Sequence, residues 1–190
     1  MKYIMCVLPL ATAGIISLEA TAAPIDLNDF FTLDPEVVIA PDGMSANFSE
    51  SAFSTFVTLI NDPGLGDLNV IVPNTSTFLT FNYEFTAAVG DQDEFSAYLF
   101  DSDNGPIFGL LETFRVSSSS SGVASFDLEP WQGLVLGLQF ELIDLSLGSI
   151  DSTATVSNLA LTQVVPIPPA VWLFGSGLIG LIGIARRKKS

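Results

Sequence analysis

Leu79, Phe81, Tyr83 and Phe85 alternate with Thr80, Asn82 and Glu84, so an extended chain here has one apolar face and one wet face. Leu134, Leu136, Leu138, Phe140 and Leu142 repeat this period of two with Gln139 and Glu141 opposite, and Phe95, Ala97 and Leu99 make a third such face. Phe53 to Ile60, Gly105 to Phe114, Val123 to Leu128 and Ala154 to Val164 are predicted as further strands. Breaks fall at Asp62-Pro63-Gly64, Val72-Pro73-Asn74, Asp103-Asn104-Gly105, Ser121-Gly122 and Leu147-Gly148, residue combinations that end strands and make turns. No stretch of helical period competes with them. The pattern predicts an all-β domain, a two-sheet antiparallel β-sandwich or jelly roll of about eight to ten strands. Ser117 to Ser121 reads as the loop of a long hairpin, because strand-like residues flank it on both sides.

Two apolar segments of another kind bound this domain. Lys2 is followed by the largely apolar Tyr3 to Leu18 and by the small residues Ala20-Thr21-Ala22, the order of a signal peptide cut after Ala22. At the other end, Val165-Pro166-Ile167-Pro168-Pro169 is too rich in proline for a helix and reads as a stiff extended spacer. Ala170 to Ala185 carries no charge, and as a helix it would reach about 24 Å, a short membrane span. Arg186, Arg187, Lys188 and Lys189 follow at once, and cations beside a span stay in the cytoplasm, which puts the preceding domain outside. The expected organisation is therefore a signal peptide over residues 1–22, an acidic ectodomain over 23–163 and a sorting or anchoring segment over 164–190, with signal and C-terminal segments both helical.

Charge and composition narrow the chemistry of the middle segment. All but one of the 21 acids lie there, against a single base, Arg115. Nucleic acid is excluded as a partner, because a phosphate backbone needs Lys and Arg to displace its counterions. The chain has no histidine, and its one cysteine, Cys6, leaves with the signal. Ser-His-Asp and Cys-His catalysis, the usual zinc ligand sets and a disulfide framework are all excluded on that ground. Paired carboxylates are the catalytic chemistry left open, and the expectation is a non-enzymatic protein with no resident cofactor.

Those acids suit a hard cation, and calcium takes six to eight oxygen ligands. Asp91 and Asp93 precede one short strand, and Asp101 and Asp103 follow it; these four are the candidate calcium ligands, on two loops at opposite strand ends that need not form one site. Asp-rich turns also form without any metal, because the side chain bonds its own backbone. Tyr98 and Trp131 are the aromatic candidates for stacking on a glycan, with packing as the alternative role for each.

Val165, Pro166, Ile167 and Pro168, the uncharged helix with Trp172-Leu173-Phe174-Gly175-Ser176-Gly177, and the basic end Arg186 to Lys189 together resemble the C-terminal sorting signal of PEP-CTERM proteins. Ile167 stands where the commonest form has glutamate, so the tail is similar to the Val-Pro-Leu-Pro-Ala subtype, with Pro169 additional to it. The resemblance implies recognition by an exosortase, a membrane transpeptidase-like enzyme of Gram-negative bacteria that also make exopolysaccharide. The segments Asp93 to Phe100 and Thr153 to Leu161 resemble β-sandwich ectodomains carried by that family, which also look like carbohydrate-binding modules. The resemblance further implies export through the inner membrane, transient anchoring there, and delivery to the cell surface or an exopolysaccharide matrix. The alternative is a carbohydrate-binding module, assisted by calcium.

Overall fold

The computed structural model describes residues 22–61, 71, 77–90, 92–145 and 152–163, all within the compact unit Thr21–Val164. The segments read as signal helix and membrane helix lie outside the described residues. Among the described residues no helix is long and apolar enough to cross a membrane.

Ten strands among the described residues form two antiparallel sheets. In chain order they are β1 (Ala22–Pro24), β2 (Val37–Ile39), β3 (Ser45–Ser49), β4 (Phe56–Asn61), β5 (Thr77–Thr86), β6 (Glu94–Asp101), β7 (Leu110–Val116), β8 (Ser120–Asp127), β9 (Leu136–Ile143) and β10 (Thr153–Gln163). One sheet has the order β2-β3-β10-β5-β8, with β1 also on β10, and the other runs β4-β9-β6-β7. From β3 onward the chain changes sheet at every connection except β6 to β7, giving the strand order of a jelly roll.

Alternation decides which side of each strand meets the other sheet. Leu79, Phe81 and Phe85 of β5, Phe95, Ala97 and Leu99 of β6, and Leu138, Phe140 and Leu142 of β9 are buried. Phe81 meets Phe140 edge-on with ring centres 5.1 Å apart, and Phe48 meets Phe95 at 5.9 Å, so the phenylalanines join the two sheets. Phe48, Phe81, Phe85, Phe95, Phe100 and Phe140 are all fully enclosed. Such rings bury the largest apolar area per residue, which suits a domain with no disulfide.

Three local expectations are corrected. Phe53 belongs to a turn and is almost wholly exposed, because the Ser51 hydroxyl accepts from its N–H and the strand starts only at Phe56. Gly105–Phe108 is a single helical turn, α1, entered through Gly105 at φ 68° with a proline at its start, so the following strand begins at Leu110. The serine run does not close a hairpin: β7 and β8 lie in different sheets, and residues 117–119 arch between them.

The long strand β10 is broken once. Its register on β5 shifts between Ser157 and Ala160, where Asn158 takes φ 53°, a left-handed conformation that asparagine tolerates. The first part of β10 pairs with β3 and the last part with β1, so the bulge divides one edge of β10 between two partners.

Candidate metal centre

Strand ends bring an unusual set of side chains together at one end of the sandwich. Ser49 pairs with Thr153 at the end of the β3–β10 ladder, and Glu50 and Ser152 are the next residues outward. Glu94 pairs with Ile143 at the end of the β6–β9 ladder, and Asp93 and Asp144 are the next residues outward there. One pair thus belongs to each sheet. All four continue the inward parity of their strands, Glu50 two residues after Phe48, Asp93 two before Phe95, Asp144 two after Leu142 and Ser152 two before Ala154.

The consequence is a cluster of enclosed carboxylates. Asp93 is 0% exposed, Glu50 and Asp144 are each 6% exposed, and Ser152 is 0% exposed. One carboxylate oxygen from each of Glu50, Asp93 and Asp144 lies within 4.8 Å of the others. The Ser152 hydroxyl donates to Asp93 Oδ2 at 2.6 Å, and the Ser152 N–H donates to Glu50 Oε2 at 3.2 Å. The Ala88 N–H donates to the Ser152 hydroxyl at 2.8 Å, and the Leu145 N–H donates to Asp93 Oδ1 at 3.1 Å. Glu50 Oε1 is buried without a hydrogen-bond partner.

Electrostatics sets the terms on which this cluster can exist. At an effective dielectric constant of about 20, two carboxylates at this spacing repel by roughly 3–4 kcal/mol, and burial adds to the cost of each charge. Burial, with Asp93 alongside, raises the Glu50 carboxyl from its ordinary 4.5 to about 7, against the opposing pull of the Ser152 hydrogen bonds. The domain's sole base does not offset this charge: Arg115 Nε donates to Glu94 Oε1 at 2.9 Å, on the outer face of the four-stranded sheet.

The residues singled out in the sequence are dispersed. Asp93 is in the cluster, whereas Asp91 lies outside the described residues. Asp101 ends β6, about 25 Å of strand from Asp93, so the two ends do not form one site. There Asp101 accepts from the Asp103 N–H at 3.1 Å and from the Asn104 amide at 2.6 Å, the self-bonding of an Asp turn. Ala22 opens β1 opposite Thr162, and a cut after it leaves Ala23 and Pro24 on the sheet edge. Ala20, Val165, Pro166, Ile167, Pro168 and the basic residues Arg186 to Lys189 lie outside the described residues.

Tyr98 and Trp131 do not share a surface. Tyr98 lies on the outer face of β6, opposite Thr113 and Gln139. Burial raises the Glu141 carboxyl, while Gln139, Arg115 and Tyr98 draw it back. Trp131, in the 3-10 turn Glu129–Trp131, packs against the core, with its indole N–H toward Glu112 Oε1 at 3.4 Å. Glu112 pairs with the buried Leu99 and so lies on the inner face of that sheet. A different surface is concave: a groove of about 420 Å³ on the outer face of the six-stranded sheet, lined by Asn82, Glu84, Ser121, Val123, Thr155 and Ser157 among others.

Comparison with known proteins adds little to this geometry. No protein-family model matches the sequence, and no curated protein matches it. Among solved structures, one described as "CBM4 structure and function" is similar at 10% identity over 70% of this chain and 78% of the other, with a TM-score of 0.40. An apo-form cyclase from Fischerella sp. is similar at 12% identity over 80% of this chain and 90% of the other, with a TM-score of 0.34.

Proposed function

We propose that this chain is a non-enzymatic, exported protein of the cell surface or an exopolysaccharide matrix, whose C-terminal tail is handled by an exosortase. One observation carries the reading: the order of Val165-Pro166-Ile167-Pro168, an uncharged segment to Ala185, and four cations from Arg186 to Lys189. Each part has a physical role. The prolines hold an extended substrate, the apolar segment holds it at the membrane, and the cations fix its orientation. A domain with one base and no histidine is consistent with an extracellular module that does not turn over substrate.

Transplanting residues 165–190 onto an unrelated exported reporter tests the reading apart from this domain. In a host that has an exosortase the reporter is expected to lose the tail and leave the membrane, and in the same host without the enzyme it is expected to stay there. Equal release in both hosts would contradict the proposal.

The groove on the six-stranded sheet favours a second reading, a carbohydrate-binding module. Its lining offers an amide, a carboxylate and several hydroxyls from adjacent strands, groups that exchange hydrogen bonds with sugar hydroxyls. On this reading a polysaccharide panel contains at least one binder, and Asn82→Ala with Glu84→Ala weakens it by about tenfold or more. A silent panel with the unaltered chain counts against it.

A further inference from the structure

We infer that Glu50, Asp93, Asp144 and Ser152 form a calcium site that ties the two sheets together at one end of the sandwich. Two independent observations support it. Three carboxylates from three strand ends present oxygens within 4.8 Å of one another, which is the widest separation of two ligands that both lie about 2.4 Å from one cation. Separately, Glu50 is 94% buried, and its Oε1 has no hydrogen-bond partner, whereas the other buried carboxylates among the described residues are engaged. A buried carboxylate oxygen without a donor needs a cation or a proton.

The donor set selects among cations. Every ligand atom on offer is a carboxylate or hydroxyl oxygen, which suits a hard ion and does not suit zinc or copper. Magnesium prefers a rigid octahedron and keeps several of its waters, whereas these oxygens come from strand ends and connecting turns and are enclosed. Calcium accepts irregular oxygen cages of six to eight ligands, so the second oxygens of the carboxylates and nearby carbonyls can complete the shell.

The placement gives the ion a mechanical role. Glu50 and Ser152 sit just beyond the last rung of one sheet, and Asp93 and Asp144 just beyond the last rung of the other. An ion held by both pairs links strands far apart in sequence, the service a disulfide would give in a domain with cysteines. Enclosure also rules out the cluster as a hydrolytic carboxylate pair, since a sugar could not reach it.

Calorimetric titration and thermal melting of the full-length chain in detergent, stripped with chelator, test the inference. Calcium is expected to bind once per chain and, at about a hundred times Kd, to raise Tm by about 5–10 °C, with magnesium giving a much smaller response. Glu50→Gln and Asp144→Asn are each expected to weaken calcium by about tenfold or more, while Asp101→Asn, at the far end of β6, leaves it unchanged. Absence of calcium heat and of a calcium-dependent Tm in the unaltered chain overturns the inference and leaves a shared proton as the occupant. An unchanged affinity in Glu50→Gln and Asp144→Asn, or a loss in Asp101→Asn, overturns the location. The unaltered chain decides alone if a variant fails to fold.

Discussion

Phe140→Ala is expected to destabilise the domain by about 3–5 kcal/mol, a large part of the roughly 5–15 kcal/mol available to a domain of this size. Phe140 is 0% exposed in β9, inside the four-stranded sheet. Its ring centre lies 5.1 Å from Phe81 across the sandwich, 6.3 Å from Phe30 and 6.4 Å from Phe95. Truncation removes apolar area and leaves a cavity walled by rings on rigid strands, which cannot collapse to fill it. Chemical denaturation should show a lower midpoint with an unchanged slope. Val123→Ala, on the exposed outer face, is expected to stay within about 0.5 kcal/mol. A loss below about 1 kcal/mol for Phe140→Ala would mean that the two sheets do not pack through this ring.

Gly137→Val is expected to be comparably damaging for the opposite reason. Gly137 pairs with Phe100 across β9 and β6, and the Phe100 ring lies directly over it. A Cβ at position 137 would stand 2.2 Å from Phe100 Cζ and 2.8 Å from the Asn61 carbonyl oxygen, one contact with a ring and one with backbone. Phe100 is itself 0% exposed and has little room to move. Overpacking of this kind costs about 1–3 kcal/mol and can exceed that range where backbone must shift. Combining Gly137→Ala with Phe100→Leu should recover part of the loss of Gly137→Ala alone, and a double-mutant cycle measures the recovery. Strict additivity would separate the glycine from the ring.

The jelly-roll sheets were legible wherever alternation ran through large apolar residues, as in β5, β6 and β9. It failed at β1, β2 and β3, which are short, and in β3 only Ala46 and Phe48 face inward between serines and an asparagine. The turn at Phe53 misled because an exposed ring reads as a core residue in a pattern of hydrophobicity. The metal cluster was legible in principle through parity. Glu50, Asp93, Asp144 and Ser152 each occupy the inward position one step beyond a strand, where a polar residue breaks the apolar rhythm. Asp93 and Asp101 stand at opposite ends of a strand of eight residues, so closeness in sequence does not name the partners of Asp93. Which strand ends meet is set by the order of the sheets, and no local pattern encodes that order.

The two proposals concern separate parts of the chain, a cation tying the folded body and a tail directing where that body goes. Calcium binding can fail while sorting stands, because no residue is common to both. Intact mass of the chain from membrane and extracellular fractions of its host, beside a Pro166→Ala, Pro168→Ala double variant, decides whether the tail is sorted. Exosortase handling predicts extracellular protein that starts at Ala23 and ends within the proline segment, with the variant retained in the membrane at full tail length. An intact tail on the extracellular protein, or the same distribution and mass for the variant, would contradict it.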